Sequence, residues 1–186
     1  MRIISGYLKG RKINQPDDIN TRPLKDLTKE SIFNILQHSN LFSQEFKNSI
    51  ILDLFSGVGS FGLECISRGA AQVTFCENYP PALKILKENI VNLDCEDKVK
   101  ILNEDIIDLK NLTFFPKEKF DIIFLDPPYK EKKINPLIQR IINLKILKDN
   151  GIIIIHRHKK ELDAFPKNFT IKEIKTYGIS KIIFGN

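Results

Sequence analysis

Ile50-Ile51-Leu52-Asp53-Leu54-Phe55-Ser56-Gly57-Val58-Gly59-Ser60-Phe61-Gly62 joins two different patterns in thirteen residues. The first five are apolar except for Asp53, which reads as a strand buried on both faces. The glycines at 57, 59 and 62 then follow the spacing G-x-G-x-x-G. Such a turn lets the backbone approach a ligand closely and opens a helix whose first N–H groups are unpaired. That helix is predicted over 61–68, with Gly69 ending it. Strand, glycine turn and helix form the first half of a β-α-β unit, so the sheet is expected to be parallel.

Downstream the same rhythm repeats. A strand is predicted at 72–76. Asn78 and Pro80 begin a helix reaching about residue 93, where proline in the first turn sacrifices no hydrogen bond. Strands follow at 98–102 and 120–125, a helix at 134–147, and a strand at 151–155. Two last strands, 169–174 and 179–184, have no helix between them and should pair as an antiparallel hairpin. Upstream, residues 1–13 alternate loosely around Ile3-Ile4, Tyr7-Leu8 and Ile13, with turn signals at Ser5-Gly6 and Lys9-Gly10. They read as a short basic strand or hairpin arm. A polar, proline-bearing loop leads to Thr28, predicted to cap a helix to about residue 39 with Ile32, Phe33, Ile35 and Leu36 on its apolar face. The expectation is one α/β domain over 1–186, with a basic arm and loop at 1–27 and a helix plus core at 28–186. Its sheet is mostly parallel, seven-stranded and doubly wound, with an antiparallel last strand and helices on both faces.

The chain has 186 residues, 42% hydrophobic and 28% charged, an ordinary composition for a soluble globular protein. Twenty-nine Lys and Arg against 23 acidic residues give a net charge of +6, which favours an anionic partner such as nucleic acid. Cys65, Cys76 and Cys95 are scattered and lack C-x-x-C spacing, which suits a reducing cytoplasm and argues against a disulfide framework or a zinc site. Lys9, Arg11 and Lys12 break any early apolar leader, and no apolar run approaches the roughly 20 residues of a membrane span. A cytoplasmic monomer without metal is expected.

A second informative stretch is Asp126-Pro127-Pro128-Tyr129, directly after the predicted strand at 120–125. The two prolines end that strand and force a rigid, extended loop. The loop holds a carboxylate, free carbonyls and an aromatic ring at the carboxyl end of a strand, where open α/β sheets bind ligands. Carboxylate and carbonyls can accept from an amino group, and a ring can stack on a flat base. Together they suit a planar, amino-bearing heterocycle.

The glycine turn by itself is ambiguous, because a nicotinamide dehydrogenase would use it to hold a pyrophosphate. Asp53 points elsewhere: a carboxylate before the turn repels a pyrophosphate and suits a cationic cofactor such as S-adenosylmethionine. Glu77 ends the second predicted strand about 20 residues beyond Gly57, where a carboxylate can accept both ribose hydroxyls. Asp105, after the third, can accept from an adenine amino group. Phe55, Ser56, Gly57, Gly59, Asn78 and Ile106 complete the candidate cofactor contacts. An NAD-dependent oxidoreductase, a DNA or RNA adenine-N6 methyltransferase and a non-catalytic RNA-binding assembly factor remain alternatives.

Leu52-Asp53-Leu54-Phe55-Ser56-Gly57-Val58-Gly59-Ser60, Cys76-Glu77-Asn78 and Leu125-Asp126-Pro127-Pro128-Tyr129 resemble the successive motifs of S-adenosylmethionine-dependent amino methyltransferases. Arg2-Ile3-Ile4-Ser5-Gly6, Gly10-Arg11-Lys12-Ile13, Thr21-Arg22-Pro23 and Glu30-Ser31-Ile32-Phe33-Asn34-Ile35-Leu36 narrow the match. Over nearly its whole length the chain resembles the RsmD family. The resemblance implies a Rossmann-like class I methyltransferase fold. It also implies methylation of the exocyclic N2 of one guanine in 16S ribosomal RNA, with the small-subunit particle as partner. The chain departs from the family at Leu24, where threonine is common, and at His156-Arg157-His158, where the fifth strand often ends in Glu.

Under that reading, Asp126 and the Pro127 carbonyl accept the two N–H bonds of the amino group, and Tyr129 stacks on a base that is unpaired or flipped out. Pro128 completes the catalytic loop. Arg11, Arg22 and Lys130 are the preferred RNA contacts. Lys9, Lys12, Lys25, Lys132 and Lys133 add positive charge nearby. His156 and His158 share a strand face but lack a third ligand, so they are expected to edge the sheet or touch RNA instead of holding a metal. His38 is expected on a helix surface.

Overall fold

The computed structural model describes residues 1–16, 24–39, 46–107 and 118–186. In chain order these contain α1 (Asp26–His38), β1 (Ile50–Leu54), α2 (Ser60–Ser67), β2 (Gln72–Cys76), α3 (Pro80–Asn92) and a 3-10 turn (Glu96–Lys98). There follow β3 (Val99–Leu102), β4 (Phe120–Leu125), α4 (Ile134–Asn143), β5 (Leu147–His158), β6 (Ile171–Tyr177) and β7 (Ser180–Gly185). The strands form one seven-stranded sheet in the order β3-β2-β1-β4-β5-β7-β6. Strands β1 to β5 are parallel, and β7 runs antiparallel to both β5 and β6. This is the expected Rossmann-like sheet with its antiparallel last strand.

The two faces follow from the period-two alternation of the strands. Ile51, Val73, Phe75, Ile122, Phe124, Ile152 and Ile154 pack into one core with apolar residues of α1, α2 and α3. Leu52, Leu54, Ile123, Leu125, Ile153 and Ile155 pack into the other, against α4. Helix α4 offers Ile134, Leu137, Ile138 and Ile141 at the i, i+3, i+4, i+7 spacing of a one-sided apolar stripe. Phe33, Phe61 and Phe124 stack in a column running from α1 through α2 to β4, with centroids 5.2 and 4.0 Å apart.

The arm at 1–13 is a narrow hairpin. Arg2 bridges Lys12, Ile3 N–H donates to Arg11 O at 2.9 Å, and Gly10 N–H donates to Ile3 O at 2.9 Å. Ile3, Leu8 and Ile13 are buried in the core beneath α1 to α3, so the arm is a packed part of the molecule. Glu64 of α2, itself fully buried, fastens it by accepting from Ile4 N–H at 2.8 Å and Ser5 N–H at 3.0 Å. Glu64 also pairs with Arg68 at 2.9 Å and lies 3.6 Å from Lys29, whose ammonium donates to Arg2 O at 2.8 Å.

Some predicted boundaries move. Thr28 does not cap α1: the helix begins at Asp26, and Thr28 is buried within its first turn. Helix α4 stops at Asn143 instead of running to 147, because Lys145 adopts a left-handed φ of +52° and reverses the chain. Strand β5 starts at Leu147, well before the predicted 151, and continues to His158. The final hairpin is shifted toward the carboxyl end, turning at Gly178 with φ +58°.

Candidate active site

The carboxyl ends of β1 to β4 lie side by side, and the hydrogen bonding of the sheet continues past them. Ser56 N–H donates to Cys76 O at 3.1 Å, Glu77 N–H to Leu102 O at 3.1 Å, and Asp126 N–H to Leu54 O at 3.3 Å. From β1 the chain winds through β2 to β3 on one side; from β4 it winds to β5 on the other. This reversal opens a crevice between β1 and β4, the usual ligand position in such sheets.

The turn after β1 is tight. Phe55 has φ +58°, unusual for a bulky side chain, and Gly57 and Gly59 have φ +55° and +85°. At Gly59, which caps α2, an added Cβ would also lie 2.5 Å from Leu86 of α3. At Gly62 it would lie 2.3 Å from the Phe75 ring, so only glycine lets α2 settle this close to β2. The G-x-G-x-x-G spacing therefore serves the helix packing as well as the open rim at Gly57.

Asp53 is 1% exposed and accepts the Gly62 N–H at 2.9 Å. Burial pushes its carboxyl well above the usual carboxylate range. The Gly62 bond opposes that rise, and the charges of Asp126 and Glu77 add to it. Asp53 lines a depression with Phe55, Ser56, Gly57, Phe124 and Asp126. A second depression, sharing Phe55, is lined by Cys76, Glu77, Asn78, Asp105 and Ile106. Glu77 is held open toward it by two backbone donors, Gly57 N–H at 2.7 Å and Tyr79 N–H at 2.8 Å, one on each carboxylate oxygen. Exposed Asp105 accepts from Ile107 N–H at 2.9 Å, which fixes the loop after β3. Of the candidate cofactor contacts, Gly59 alone lines neither depression; it is buried under α3. The Cys76 thiol is pushed up to about 12, chiefly by burial, so it offers no nucleophilic thiolate at neutral pH.

Asp126 turns its side chain to the face that carries α2, where it lines the first depression, while the loop Asp126-Pro127-Pro128-Tyr129 leads on to α4 on the other face. Pro127 is buried, Pro128 exposed and Tyr129 half-buried. Its backbone is anchored by Arg157, whose side chain is fully buried in β5. The guanidinium donates to Pro128 O at 3.1 Å and to Glu131 O at 2.9 Å, while its Nε pairs with Asp163 at 3.0 Å. His156, 2% exposed, contacts Asp126 Oδ1 through Nδ1 at 2.8 Å and Ser180 Oγ through Nε2 at 2.9 Å. The Tyr129 ring forms T-shaped pairs with His156 and His158, with centroids 6.1 and 5.0 Å away.

Sequence reasoning gave Arg157 no role and misplaced His156. The expectation that His156 edges the sheet or touches RNA is corrected: it sits between β4 and β7, in the interior of the sheet. The signal that could have found it is register. Leu125 pairs with Ile155, so the next residue of each strand, Asp126 and His156, must be neighbours on one face.

The proposed RNA contacts are spread out. Arg11 donates to Asn92 O at the end of α3 and lies 3.9 Å from Asp94. Lys130 is exposed directly after Tyr129. Arg22 lies outside the described residues. Among the described residues, no cluster of three metal-binding side chains occurs, and no helix is long and apolar enough to cross a membrane.

The family described as Conserved hypothetical protein 95 matches the chain over residues 1–186. A protein of Buchnera aphidicola named ribosomal RNA small subunit methyltransferase D is 38% identical over 93% of this chain and 86% of its own. Its namesake in Haemophilus influenzae is 34% identical over 96% of this chain and 90% of its own. The solved structure of a putative methyltransferase, yhhF, from Escherichia coli superposes with a TM-score of 0.81 at 25% identity, covering 100% of this chain and 96% of that one. The sheet is therefore that of a class I methyltransferase.

Proposed function

The chain belongs to the family described as Conserved hypothetical protein 95, the RsmD family, and we propose that it methylates the exocyclic N2 amino group of a guanine in 16S ribosomal RNA, using S-adenosylmethionine. The observation that carries this reading is that Asp53 and Asp126, from adjacent strands, line one cleft beside the glycine turn. A buried carboxyl whose proton affinity is raised well above normal is matched by a cationic ligand, which restores its charge.

Asp53 and Glu77 would hold the cofactor's charged and ribose groups, and Asn78, Asp105 and Ile106 its base. The bound cofactor supplies a methyl group on a positively charged sulfur. The remaining work falls to the chain. A guanine amino group is a poor nucleophile because its lone pair is delocalised into the ring. Asp126 and Pro127 O would accept its N–H bonds, draw the nitrogen toward tetrahedral geometry and stabilise the positive charge that develops there. Pro128 O is already committed to Arg157 and to Glu131 N–H, which leaves the acceptor role to Pro127 O. Tyr129 would stack on the base, worth about 1–3 kcal/mol.

The test is methylation of small-subunit particles that lack the modification, using a labelled methyl donor and mapping the product base. N2-methylguanine is expected; N6-methyladenine, or no transfer, would overturn the reading. Asp126→Ala should fold and bind the donor while losing about 10²–10³-fold in kcat. Near-normal turnover in that variant would remove Asp126 from the chemistry.

A further inference from the structure

We infer that His156 is a positioning residue for methyl transfer, holding the Asp126 carboxylate and the Tyr129 ring in the orientation that receives the base. The inference rests on the function proposed above. Both ring nitrogens of His156 are engaged, Nδ1 with Asp126 Oδ1 at 2.8 Å and Nε2 with Ser180 Oγ at 2.9 Å. An ionised carboxylate can only accept, so Nδ1 carries the proton. In the neutral ring Nε2 is then the acceptor, and the Ser180 hydroxyl donates to it. The result is a one-way chain from the Ser180 hydroxyl through the imidazole to Asp126.

The terminal torsion of an aspartate is soft, with a broad range of orientations. A charge-assisted bond to one carboxylate oxygen, from a ring that is 2% exposed and clamped at its far nitrogen, removes that freedom. The same ring forms a T-shaped pair with Tyr129. One side chain thus orients two of the groups that touch the base.

A purely structural role for His156 is disfavoured by the division of labour around it. Arg157 already anchors the backbone of the loop through Pro128 O and Glu131 O. The Asp126 backbone is tied to Leu54 O. What His156 adds is control of a side chain, and that should register in turnover.

The experiment compares wild type, His156→Leu, His156→Asn and Ser180→Ala in steady-state methyl transfer, with donor binding by calorimetry and thermal midpoints as controls. His156→Leu should lower kcat about 10²-fold, the cost of a small misplacement at a reacting group, with donor affinity unchanged. His156→Asn, whose Nδ2–H can take the place of Nδ1–H, should recover about tenfold of that loss. Ser180→Ala, which leaves the imidazole in place, should lower kcat by about threefold or more at unchanged KM for the donor. Long-range ¹⁵N spectra of wild type should show the Nδ1–H tautomer.

An Nε2–H tautomer overturns the proposal, as does a kcat within about twofold of wild type in both His156→Leu and Ser180→Ala. If His156→Leu does not fold, the tautomer and Ser180→Ala decide the matter. A failure of the underlying function looks different, because wild type itself would then transfer no methyl to guanine.

Discussion

Under the proposed function, Asp53 is subject to opposed demands from stability and from ligand binding. In an unfolded chain it titrates near about 3.9. In the fold, burial raises it well above that value. Below the unfolded value both states hold the proton, and the group is neutral in the balance. As pH rises from there toward the folded value, the unfolded chain gives up its proton first, so Asp53 subtracts increasingly from stability. The thermal midpoint of Asp53→Asn, relative to wild type, should therefore climb with pH across that window in the absence of the methyl donor. A gap that stays flat with pH would mean that the buried carboxyl carries no such penalty. Donor affinity should move the opposite way, with Asp53→Asn losing about 2–5 kcal/mol, since a buried charge partner is removed. Asp53 and Glu77 were legible as strand-end carboxylates next to a glycine turn. The φ of +58° at Phe55 was not, because phenylalanine carries no local preference for that conformation.

At the scale of elements, β1, β2 and β4 could be read directly, because buried parallel strands are short apolar runs bounded by glycine and proline. The border between α4 and β5 could not. Ile141, Leu144, Ile146 and Leu147 continue an apolar pattern across it, and the reversal at Lys145 leaves no compositional mark. The arm was legible as a hairpin but not as a docked one, since its attachment depends on a charge on another element. Glu64 receives two backbone donors from the arm and faces Lys29, whose pKa is lowered, chiefly by burial. Removing Glu64 takes the nearer carboxylate from the buried Lys29 ammonium, leaving Asp26 at 3.9 Å, and strips Ile4 and Ser5 of their acceptor, while Ser67 still holds Tyr7 and Leu8. Glu64→Ala should cost about 3–5 kcal/mol in denaturant-monitored stability and make the arm cleavable at Lys9, Arg11 or Lys12 by a protease that spares wild type. A loss below about 1 kcal/mol, with the arm still protected, would show that the hub behaves like an exposed ion pair.

For the whole molecule, strand order is the step that sequence pattern reaches only through a topological rule. The alternation of strands and helices implies a doubly wound sheet, but the reversal between β1 and β4 that opens the crevice emerges from tertiary pairing. The net charge of +6 is legible at once, yet it says nothing of which cations are available to a polyanion. The structure separates them. Lys132 is paired with Glu161 at 3.1 Å, and Arg11 is shared with Asn92 O and Asp94, whereas Lys130 is exposed beside Tyr129. If RNA phosphates displace counterions at these groups, each contact adds about 0.7–0.9 to the slope of log affinity against log salt. Binding of the small-subunit RNA should thus weaken steeply with salt, and Arg22→Gln and Lys130→Gln should each reduce the slope by about 1. Arg11→Gln should reduce it too and also lower the thermal midpoint, because the guanidinium caps the carboxyl end of α3. Lys132→Gln should have a smaller effect, since that ammonium must leave Glu161 before it can meet a phosphate. Slopes unchanged in the Arg11, Arg22 and Lys130 variants would remove these groups from RNA contact, and an unchanged slope for Lys130→Gln would place the phosphates away from Tyr129.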